Sequence, residues 1–450
     1  MNEITIIGAG LSGCEAALQA ADRGVKVNLF EMRPGVSTSA HQTNGLAEIV
    51  CSNSLGSELS TRPSGLLMSE MEMLGSHLIK IAKSCKLPAG HALAIDRELF
   101  SRKVTNLVRD HPNIRLIREE ITSIPKGKVI IASGPLTSLN LSRAITDLTG
   151  SNNLFFYDAV APIIEFDSIN MDVAFWGSRY GRGIQEQGDY INCPFTKEEY
   201  TSFVDQLIHA ERIDLKGYEQ DIDQGVRAGK ASFFEGCLPI EVMAQRGERT
   251  LAFGPLRPVG LTDPHTSEKP HAVVQLRQDD LGGDSFNLVG FQTNLKYPEQ
   301  KRVFRMIPGL ENAEFVRFGQ MHRNTFIASP DLLNEFFQLI QKPDIYFCGQ
   351  ITGVEGYLGN IASGLFTGIN ISRDLRGLQK LVFPKTTMIG ALFHYVTKSS
   401  VDHFQPMKPN FGLLPPFAER VKPKKTRFEA YALRAQNEMK SFLNVYEIDE

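Results

Sequence analysis

The sequence predicts an α/β fold in which a Rossmann-like unit opens the chain and a segment near its end completes the same sheet. Two observations support this prediction. A glycine-rich turn follows the short apolar run Ile4–Ile7, and a second strand–glycine–helix pattern begins at Ile345. The chain has 450 residues, more than one hydrophobic core usually organises, so two domains are expected.

Composition and charge are typical of a soluble globular protein, with 42% hydrophobic and 22% charged residues. The formal net charge of -3 leaves nucleic acid as a partner only through a local basic face. No signal peptide and no membrane-spanning run is recognised, so we expect a cytoplasmic protein without a membrane partner. The six cysteines are scattered and never form a CxxC pair, which predicts free thiols and no metal site.

The first strand, turn and helix show the pattern of a dinucleotide-binding βαβ unit. Gly8 permits the tight turn, Gly10 lets the backbone approach a pyrophosphate, and Gly13 lets the helix pack closely on the strand. The second strand, Val25–Phe30, ends at Glu31, a carboxylate placed to bind a ribose hydroxyl. Phosphates are expected at the helix N-terminus because its free N–H groups and its dipole favour anions.

Two later segments indicate FAD rather than NAD. The stretch Lys128–Ser138 resembles the strand-to-glycine element of glutathione-reductase-type flavoproteins. After the strand Ile345–Cys348, Gly349 and Gln350 lead through a glycine-rich loop into a helix, as in the same proteins. Gln350 is expected to meet the ribityl chain, and the helix N-terminus to face the flavin or its phosphates. No second GxGxxG follows, so NADH or NADPH is expected to dock only transiently.

The predicted fold class is therefore α/β, a glutathione-reductase-type FAD-binding Rossmann-like domain with an α+β insertion domain. We assign residues 1–156 to the first part of the FAD-binding domain and 157–325 to the insertion. Residues 326–450 form its second part with a basic C-terminal tail. In the insertion, PIIEFDSINMDVAFWGSRYG and HAVVQLRQDD predict strands, and a helix is expected to be capped near Thr196. The tail is either a solvated helix with a Pro-rich lead-in or a phosphate-contacting surface.

Two cysteines have a context that suits chemistry. Cys51 lies in AEIVCSNSLGSE, where an apolar run breaks into small polar residues, and Cys237 lies in FFEGCLPIEVMA, a turn beside two acids. An exposed, electrostatically tuned thiolate is a good nucleophile. A buried free cysteine instead behaves as a small hydrophobe, and the local residues leave both interpretations open. Cys14 and Cys348 are expected to be packing residues of the core.

Polar and basic residues in the insertion are the remaining candidates. His322 and Arg323, in FVRFGQMHRNTFIASP, are too polar for a plain core strand. His322 suits ligand binding or proton transfer, and equally a structural histidine. Scattered arginines are usually surface residues, and this is the interpretation we give to Arg246, Arg249, Arg257 and Arg277.

Together these segments resemble one family, the bacterial folate- and FAD-dependent tRNA (uracil-5-)-methyltransferases called TrmFO, formerly Gid. The matching stretches span nearly the whole chain. They are IIGAGLSGCEAALQAADRGVKVNLFEMRP, EIVCSNSLGS, GHALAIDRELFS, FFEGCLPIEVMAQRG, GPLRPVGL, VVQLRQDD, VGFQTNLKYPEQKRVFRMIPGLENAEFVRFGQMHRNTFI, GQITGVEGY and FQPMKPNFGLLPP.

The resemblance implies methyl transfer to carbon 5 of the T-loop uridine at tRNA position 54. The carbon would come from 5,10-methylenetetrahydrofolate, with FAD as cofactor and NADH or NADPH as reductant. It also implies that Cys237 is the nucleophile on uracil carbon 6, and that Cys51 is its partner as base or second thiol. No obligate protein partner is predicted. The target uracil would have to leave its stack, as in other base-modifying enzymes.

Matched motifs also transfer binding roles to this chain. The adenosine end of FAD would be bound by Gly8, Ala9, Gly10, Leu11, Gly13 and Glu31, with Gly134 in the strand-to-glycine element. The flavin end would be lined by Gly349, Gln350, Gly353, Val354 and Glu355. Further candidates for contacts with folate, flavin or RNA are Tyr357, His322, Arg323, Arg246 and Arg249.

One departure and three alternatives accompany the resemblance. After GVEGY the family commonly continues with an acid–serine pair, whereas here Leu358 is followed by Gly359 and Asn360. The alternatives are a relative that methylates ribosomal RNA, a flavoprotein that modifies the tRNA wobble uridine, and a non-catalytic flavin-bound RNA-binding protein. The wobble-modifying proteins are usually longer and need a protein partner, so the length of this chain favours the methyltransferase.

Overall fold

The computed structural model describes residues 3–38, 40–150, 154–213, 226–227, 238–401, 404–419 and 421–446. Four sheets lie within these ranges. Two of them have six strands each, and each of the two six-stranded sheets packs against its own large hydrophobic core. None of the helices in these ranges combines the length and apolarity needed to cross a bilayer.

The first six-stranded sheet combines the start of the chain with the segment near its end, as predicted. Five strands are parallel and one edge strand is antiparallel. Such sheets are buried on both faces by helices, which explains their continuous apolar strands. In spatial order the strands are Gln338–Leu339, Lys342–Phe347, Val129–Ile131, Glu3–Ile7, Lys26–Phe30 and Ile114–Ile117.

Helices cover this parallel sheet. Two of them that lie far apart in the sequence, Leu11–Asp22 and Tyr357–Leu375, pack directly on each other. A small antiparallel sheet of Lys86–Leu87, Ala92–Ile95 and Ser54–Ser57 lies in the same part of the chain. The remaining helices outside the second large sheet are Pro63–Met73, His77–Lys83, Arg97–Asp110, Leu139–Thr149, Ser329–Leu332, Met388–Lys398 and Lys424–Tyr446.

The second six-stranded sheet is antiparallel throughout. Its strands are, in spatial order, Phe175–Gly177, Tyr190–Phe195, Ala272–Gln278, Ser285–Leu288, Ile163–Glu165 and Phe315–Arg317. The helices beside it are Lys197–His209, Ile240–Ala244, Thr250–Phe253 and Tyr297–Phe304. The predicted cap at Thr196 is confirmed as a reciprocal capping box with Glu199.

A third sheet joins the two regions. Its strand Leu154–Ala159 pairs with Met321–Phe326 in antiparallel fashion and with Val226–Arg227 in parallel. The chain thus leaves the parallel sheet on one of these strands and returns on another. The proposed boundaries at residues 156 and 325 fall on these two strands, and the three-part division of the chain stays a prediction.

The C-terminal helix differs from the solvated helix expected as one interpretation of the tail. One face of Lys424–Tyr446 is buried on the first core, and the helix packs beside Pro63–Met73. Apolar residues that lie between the basic residues of the helix form this face. The buried residues are Tyr431, Ala432, Ala435, Met439 and Phe442.

Candidate active site

Three glycines of the first turn have different structural roles. At Gly8, where φ is 101°, a Cβ atom would lie 2.6 Å from the Ala132 carbonyl oxygen, and at Gly13 it would overlap the carbonyl oxygen of Gly8. At Gly10 a Cβ atom would meet nothing within 4 Å. Gly8 and Gly13 are therefore required by the packing of strand and helix, whereas Gly10 leaves open space above the backbone.

Two helix N-termini open toward this space without a side-chain cap. Helix Leu11–Asp22 begins after Gly10, and helix Tyr357–Leu375 begins after Gly356, whose φ is 87°. Neither N-cap residue can offer a side-chain acceptor, so N–H groups of each first turn remain for other partners. Such ends attract phosphate and other anions.

Glu31 lies at the end of the second strand, buried and ion-paired. Its Oε2 accepts the Ala9 N–H at 3.1 Å, and its Oε1 accepts the Arg33 Nε–H at 2.9 Å. Arg33 also bonds Glu48 at 2.9 Å. Burial opposes ionisation of Glu31, but its bonds to Arg33 and Ala9 prevail and hold its pKa below the usual value. The carboxylate is thus charged and fixed beside the turn.

These elements surround an open cleft, here called the nucleotide cleft, with about 960 Å³ of empty volume. The Oδ1 atom of Asn360, which lines the cleft, is buried and accepts no hydrogen bond from the described residues. The predicted residues that line the cleft are Gly8, Gly10, Leu11, Glu31, Gly134, Gln350 and Tyr357.

A second cleft, here called the thiol cleft, adjoins the first. It contains about 1260 Å³ of empty volume, and Cys51 lies in its wall. Val50, Pro135, Gln350 and Tyr357 line both clefts. The structure therefore brings the predicted thiol next to the space beside the glycine-rich turn.

Cys51 lies in an irregular loop and is only half-buried. Its backbone N–H donates to the Tyr357 hydroxyl at 2.7 Å, and its Sγ lies 3.9 Å from the carbonyl oxygen of Ala159. The other cysteines of the described ranges, Cys14, Cys85, Cys193 and Cys348, are buried. Burial raises the pKa of each of these four thiols. Cys51 is therefore the described thiol that suits chemistry.

The flavin-end residues fall into two groups. Gln350 and Glu355 line the thiol cleft, and the Gln350 amide donates to Glu355 at 2.8 Å. Gly349, Gly353 and Val354 line neither cleft. A Cβ atom at Gly349 would overlap the Ser12 hydroxyl, and one at Gly353 would collide with the Phe404 ring.

Two other predicted residues line neither cleft. Ala9 and Gly13 are buried behind the turn. His322 and Arg323 lie in strand Met321–Phe326, where their backbones pair with Asp158 and Tyr157, and their side chains are outside the described residues.

The remaining candidates are the two arginines of the insertion and the predicted nucleophile. Arg246 and Arg249 are exposed and line neither cleft, and Arg249 lies over the Phe253 ring. Cys237, the predicted nucleophile, lies outside the described residues.

The expectation that Arg277 is a surface residue is wrong, because only 7% of it is exposed. It bonds the loop beside Cys51, as do Arg97 and Arg317, which sequence reasoning did not single out. The sequence signal for a buried arginine was its place within or next to an apolar strand. Arg277 interrupts the strand Ala272–Gln278, and Arg97 follows the buried strand Ala92–Ile95 almost directly. Charged residues at such positions are rarely there without a partner.

The fold and the nucleotide cleft define an α/β protein of the FAD-binding flavoprotein class, which confirms the predicted fold class. Residues 3–379 match the family model described as glucose inhibited division protein A. The solved structure of GidA from Aquifex aeolicus superimposes with a TM-score of 0.68 at 16% identity, covering 98% of this chain and 73% of that one. This likeness shows the shared fold.

Curated relatives are much more similar in sequence. The chain is 52% identical over 441 residues to methylenetetrahydrofolate–tRNA-(uracil-5-)-methyltransferase TrmFO of Natranaerobius thermophilus, with 98% of this chain and 99% of the relative covered. It is 53% identical over 441 residues to the TrmFO of Anoxybacillus flavithermus, with the same coverage. The chain belongs to the TrmFO family, within the wider glucose inhibited division protein A family.

Proposed function

We propose that this protein is a methylenetetrahydrofolate- and FAD-dependent methyltransferase that forms 5-methyluridine at position 54 of the tRNA T-loop, with NADH or NADPH as reductant. The observation that carries the proposal is the junction of the two clefts, where Gln350 and Tyr357 line both the nucleotide cleft and the cleft of Cys51. The names of the relatives, which are at least half identical over 98% of the chain, supply the reaction.

The residues of the nucleotide cleft fit FAD. The space above Gly10 suits a pyrophosphate at the N-terminus of Leu11–Asp22, and the Glu31 carboxylate suits a ribose hydroxyl. The Oδ1 of Asn360 has no hydrogen-bond partner among the described residues, and it is a buried acceptor that a ligand donor would satisfy. When bound, FAD would supply the two electrons that reduce a methylene unit of the folate to the methyl level.

The chain's own part in the reaction is at uracil. Carbon 5 becomes nucleophilic only after a thiolate adds to carbon 6, which converts the ring to an enolate. Once carbon 5 has formed its bond to the one-carbon unit, its proton must be removed so that the thiolate is eliminated from carbon 6 and the double bond between carbons 5 and 6 is restored. We assign the addition to Cys237, and proton removal or a second thiol role to Cys51, because both match the motifs of the family.

The substrate is tested with the purified flavoprotein, unmodified tRNA, labelled methylenetetrahydrofolate and NADH or NADPH. We expect one methyl group per tRNA on uridine 54, mapped by nuclease digestion and mass spectrometry. The control is a tRNA transcript with cytidine at that position, which should stay unlabelled. Methylation of a ribosomal RNA fragment but not of tRNA would overturn the proposed substrate, and modification of the wobble uridine would overturn the reaction.

The thiols are tested by trapping with RNA that contains 5-fluorouracil, whose carbon 5 carries no removable proton. Cys237→Ala is expected to abolish the covalent protein–RNA adduct, seen as a shifted band on a denaturing gel. Cys51→Ala should reduce methyl transfer about a thousandfold while the adduct still forms, since loss of a catalytic proton acceptor costs about that much. The matched control is Cys193→Ala, a buried thiol away from both clefts. An adduct that survives in Cys237→Ala would reassign the nucleophile.

A further inference from the structure

Five successive residues of the Cys51 loop each receive a hydrogen bond from an arginine. Arg97 donates from Nη1 to the Ile49 carbonyl at 2.8 Å and from Nη2 to the Cys51 carbonyl at 2.7 Å. Arg317 donates to the carbonyl of Val50. The loop between the nucleotide cleft and the thiol cleft is thus bonded on its backbone from two sides.

Arg277 completes the series through side chains. It donates from Nη2 to the Ser52 hydroxyl at 2.6 Å and from Nε to Asn53 Oδ1 at 2.7 Å. The Asn53 amide in turn donates to the Gln278 carbonyl at 2.9 Å. The three arginines come from helix Arg97–Asp110 and from two strands of the antiparallel sheet, so long-range packing brings them together.

Among the described side chains, one carboxylate pairs with this group. It is Asp279, which forms an ion pair with Arg97 at 2.9 Å, whereas none of the described carboxylates lies at ion-pair distance from Arg277 or Arg317. Burial lowers the pKa of both of these guanidinium groups. A buried, uncompensated cation is costly, which indicates that an anion belongs in this place during function.

Cys51 is the group best placed to supply that anion. The other ionisable groups that face the loop are the Tyr357 hydroxyl, and Glu355 and Lys408 in the wall of the thiol cleft. Burial raises the pKa of Tyr357, and a negative charge on Cys51 raises it further, so the tyrosine stays neutral. Glu355 accepts the amide of Gln350, and Cys51, unlike Glu355, is among the groups whose charge acts most strongly on Arg277 and Arg317.

We propose that Arg97, Arg277 and Arg317 form a cationic frame that fixes the Cys51 loop and stabilises the thiolate of Cys51. They act as positioning residues, since they bond the loop and its neighbours rather than the reacting atoms. A thiolate in this place can take up the carbon 5 proton and become a thiol. When that proton later leaves to solvent, the thiolate forms again and its charge again balances the arginines. The uptake of the carbon 5 proton by the Cys51 thiolate rests on the proposed function. The stabilisation of that thiolate by the three arginines does not.

The test measures the pH dependence of Cys51 alkylation by iodoacetamide in the flavin-loaded protein. A Cys237→Ala background leaves Cys51 as the half-buried thiol beside four buried ones. The modified peptide is quantified by mass spectrometry, so reaction at the buried thiols is counted separately. Because only the thiolate reacts, the midpoint of the profile reports the pKa of Cys51.

Two substitutions should shift this midpoint in opposite directions. Arg277→Gln removes a cation and should raise the pKa by about one unit, which lowers the alkylation rate at neutral pH about tenfold. Asp279→Asn removes the compensating carboxylate and should lower the pKa, so alkylation at neutral pH becomes faster. Arg277→Lys keeps the charge and should stay near the unsubstituted profile. Arg302→Gln is the control, an exposed arginine paired with Glu299 on a helix away from both clefts.

Opposite shifts cannot arise from general loosening of the fold, which would change both variants in one direction. If Arg277→Gln does not fold, Asp279→Asn alone decides, because a looser loop would speed alkylation at every pH, whereas a lower pKa of Cys51 shifts the midpoint of the profile. An unchanged midpoint in Asp279→Asn and in every folded arginine variant would overturn the proposal. If the midpoints shift but Cys51→Ala retains full methyl transfer, the frame stands and the catalytic role of Cys51 fails.

Discussion

The two clefts that meet at Tyr357 are built in opposite ways. The nucleotide cleft is made chiefly of backbone, with the turn from Gly8 to Gly13 and two uncapped helix N-termini around open space. The Cys51 loop is held by side chains, since three arginines bond five successive residues. The nucleotide cleft depends on glycines, which have no side chain, whereas the Cys51 loop depends on the arginine side chains that bond it.

This difference determines how each region responds to substitution. A backbone site is damaged by adding atoms, because a methyl group displaces either the packed chain or the ligand. A side-chain site is damaged by removing atoms, because buried donors and acceptors lose their partners. Substitutions that add atoms in the nucleotide cleft and substitutions that remove atoms around the Cys51 loop therefore test the comparison most directly.

The largest effect is expected from Gly13→Ala. The added Cβ atom would overlap the carbonyl oxygen of Gly8, which is backbone and has no alternative rotamer. We expect a loss of about 3 kcal/mol or more of unfolding free energy, and little or no flavin in the purified protein. Urea unfolding and the flavin absorbance of the purified protein measure the two quantities.

The control is Gly10→Ala, the same chemical change in the same turn. Gly10 has a φ of -74°, and a methyl group added there would meet no atom within 4 Å, so the apoprotein should unfold like the unsubstituted one. Its FAD affinity should fall about tenfold or more, because the methyl group enters the space assigned to the pyrophosphate. Unchanged FAD affinity would mean that the pyrophosphate does not lie over Gly10.

A smaller effect is expected from Glu31→Gln. The glycine-rich turn contributes backbone to the nucleotide cleft, whereas Glu31 beside it contributes its side chain. Breaking its buried pair with Arg33 should cost about 3 kcal/mol at pH 7 or somewhat less, because Arg33 keeps its bond to Glu48. The pKa of Glu31 lies below its usual value, so its stabilisation is complete above the unfolded-state pKa and is lost as pH falls through the folded-state pKa. The stability difference between the two proteins should therefore shrink on acidification. Urea unfolding from pH 7 to pH 3 measures it, and a constant difference would contradict the ionised pair.

The same contrast explains what could be predicted from sequence. The nucleotide cleft was predictable because its determinants are local: Gly8, Gly10 and Gly13 lie within one turn, and Glu31 follows one helix and one strand later. The strands near Val129 and Ile345 were predictable because buried parallel strands have continuous apolar sequences. Local spacing and hydropathy therefore specified most of the parallel sheet.

The Cys51 loop was not predictable in the same way. Its partners lie at residues 97, 277, 317 and 357, and no local pattern links them before the chain has folded. Arg277 was assigned to the surface because an isolated arginine usually lies there, and tertiary packing reverses that expectation. The resemblance to the family identified Cys51, but it carried no information on what holds the loop.

The smallest effect is expected from Tyr357→Phe, at the residue that both clefts share. The change keeps the ring and removes the acceptor of the Cys51 N–H, a bond of 2.7 Å, at a cost of about 1 kcal/mol in unfolding free energy. If the Tyr357 hydroxyl contributes mainly to the Cys51 loop, the FAD affinity should stay within about twofold of the unsubstituted value, while Cys51 alkylation and methyl transfer decline. If the Tyr357 hydroxyl instead contributes mainly to the nucleotide cleft, the FAD affinity should fall more than Cys51 alkylation and methyl transfer do. Tyr395→Phe is the control, because its hydroxyl also bonds backbone groups, donating to the Gln405 carbonyl at 3.0 Å and accepting the Gln405 N–H at 3.4 Å, and it lines neither cleft. Equal changes in all readouts for both variants would show that the hydroxyl of Tyr357 contributes stability alone, and that the two clefts are not coupled through it.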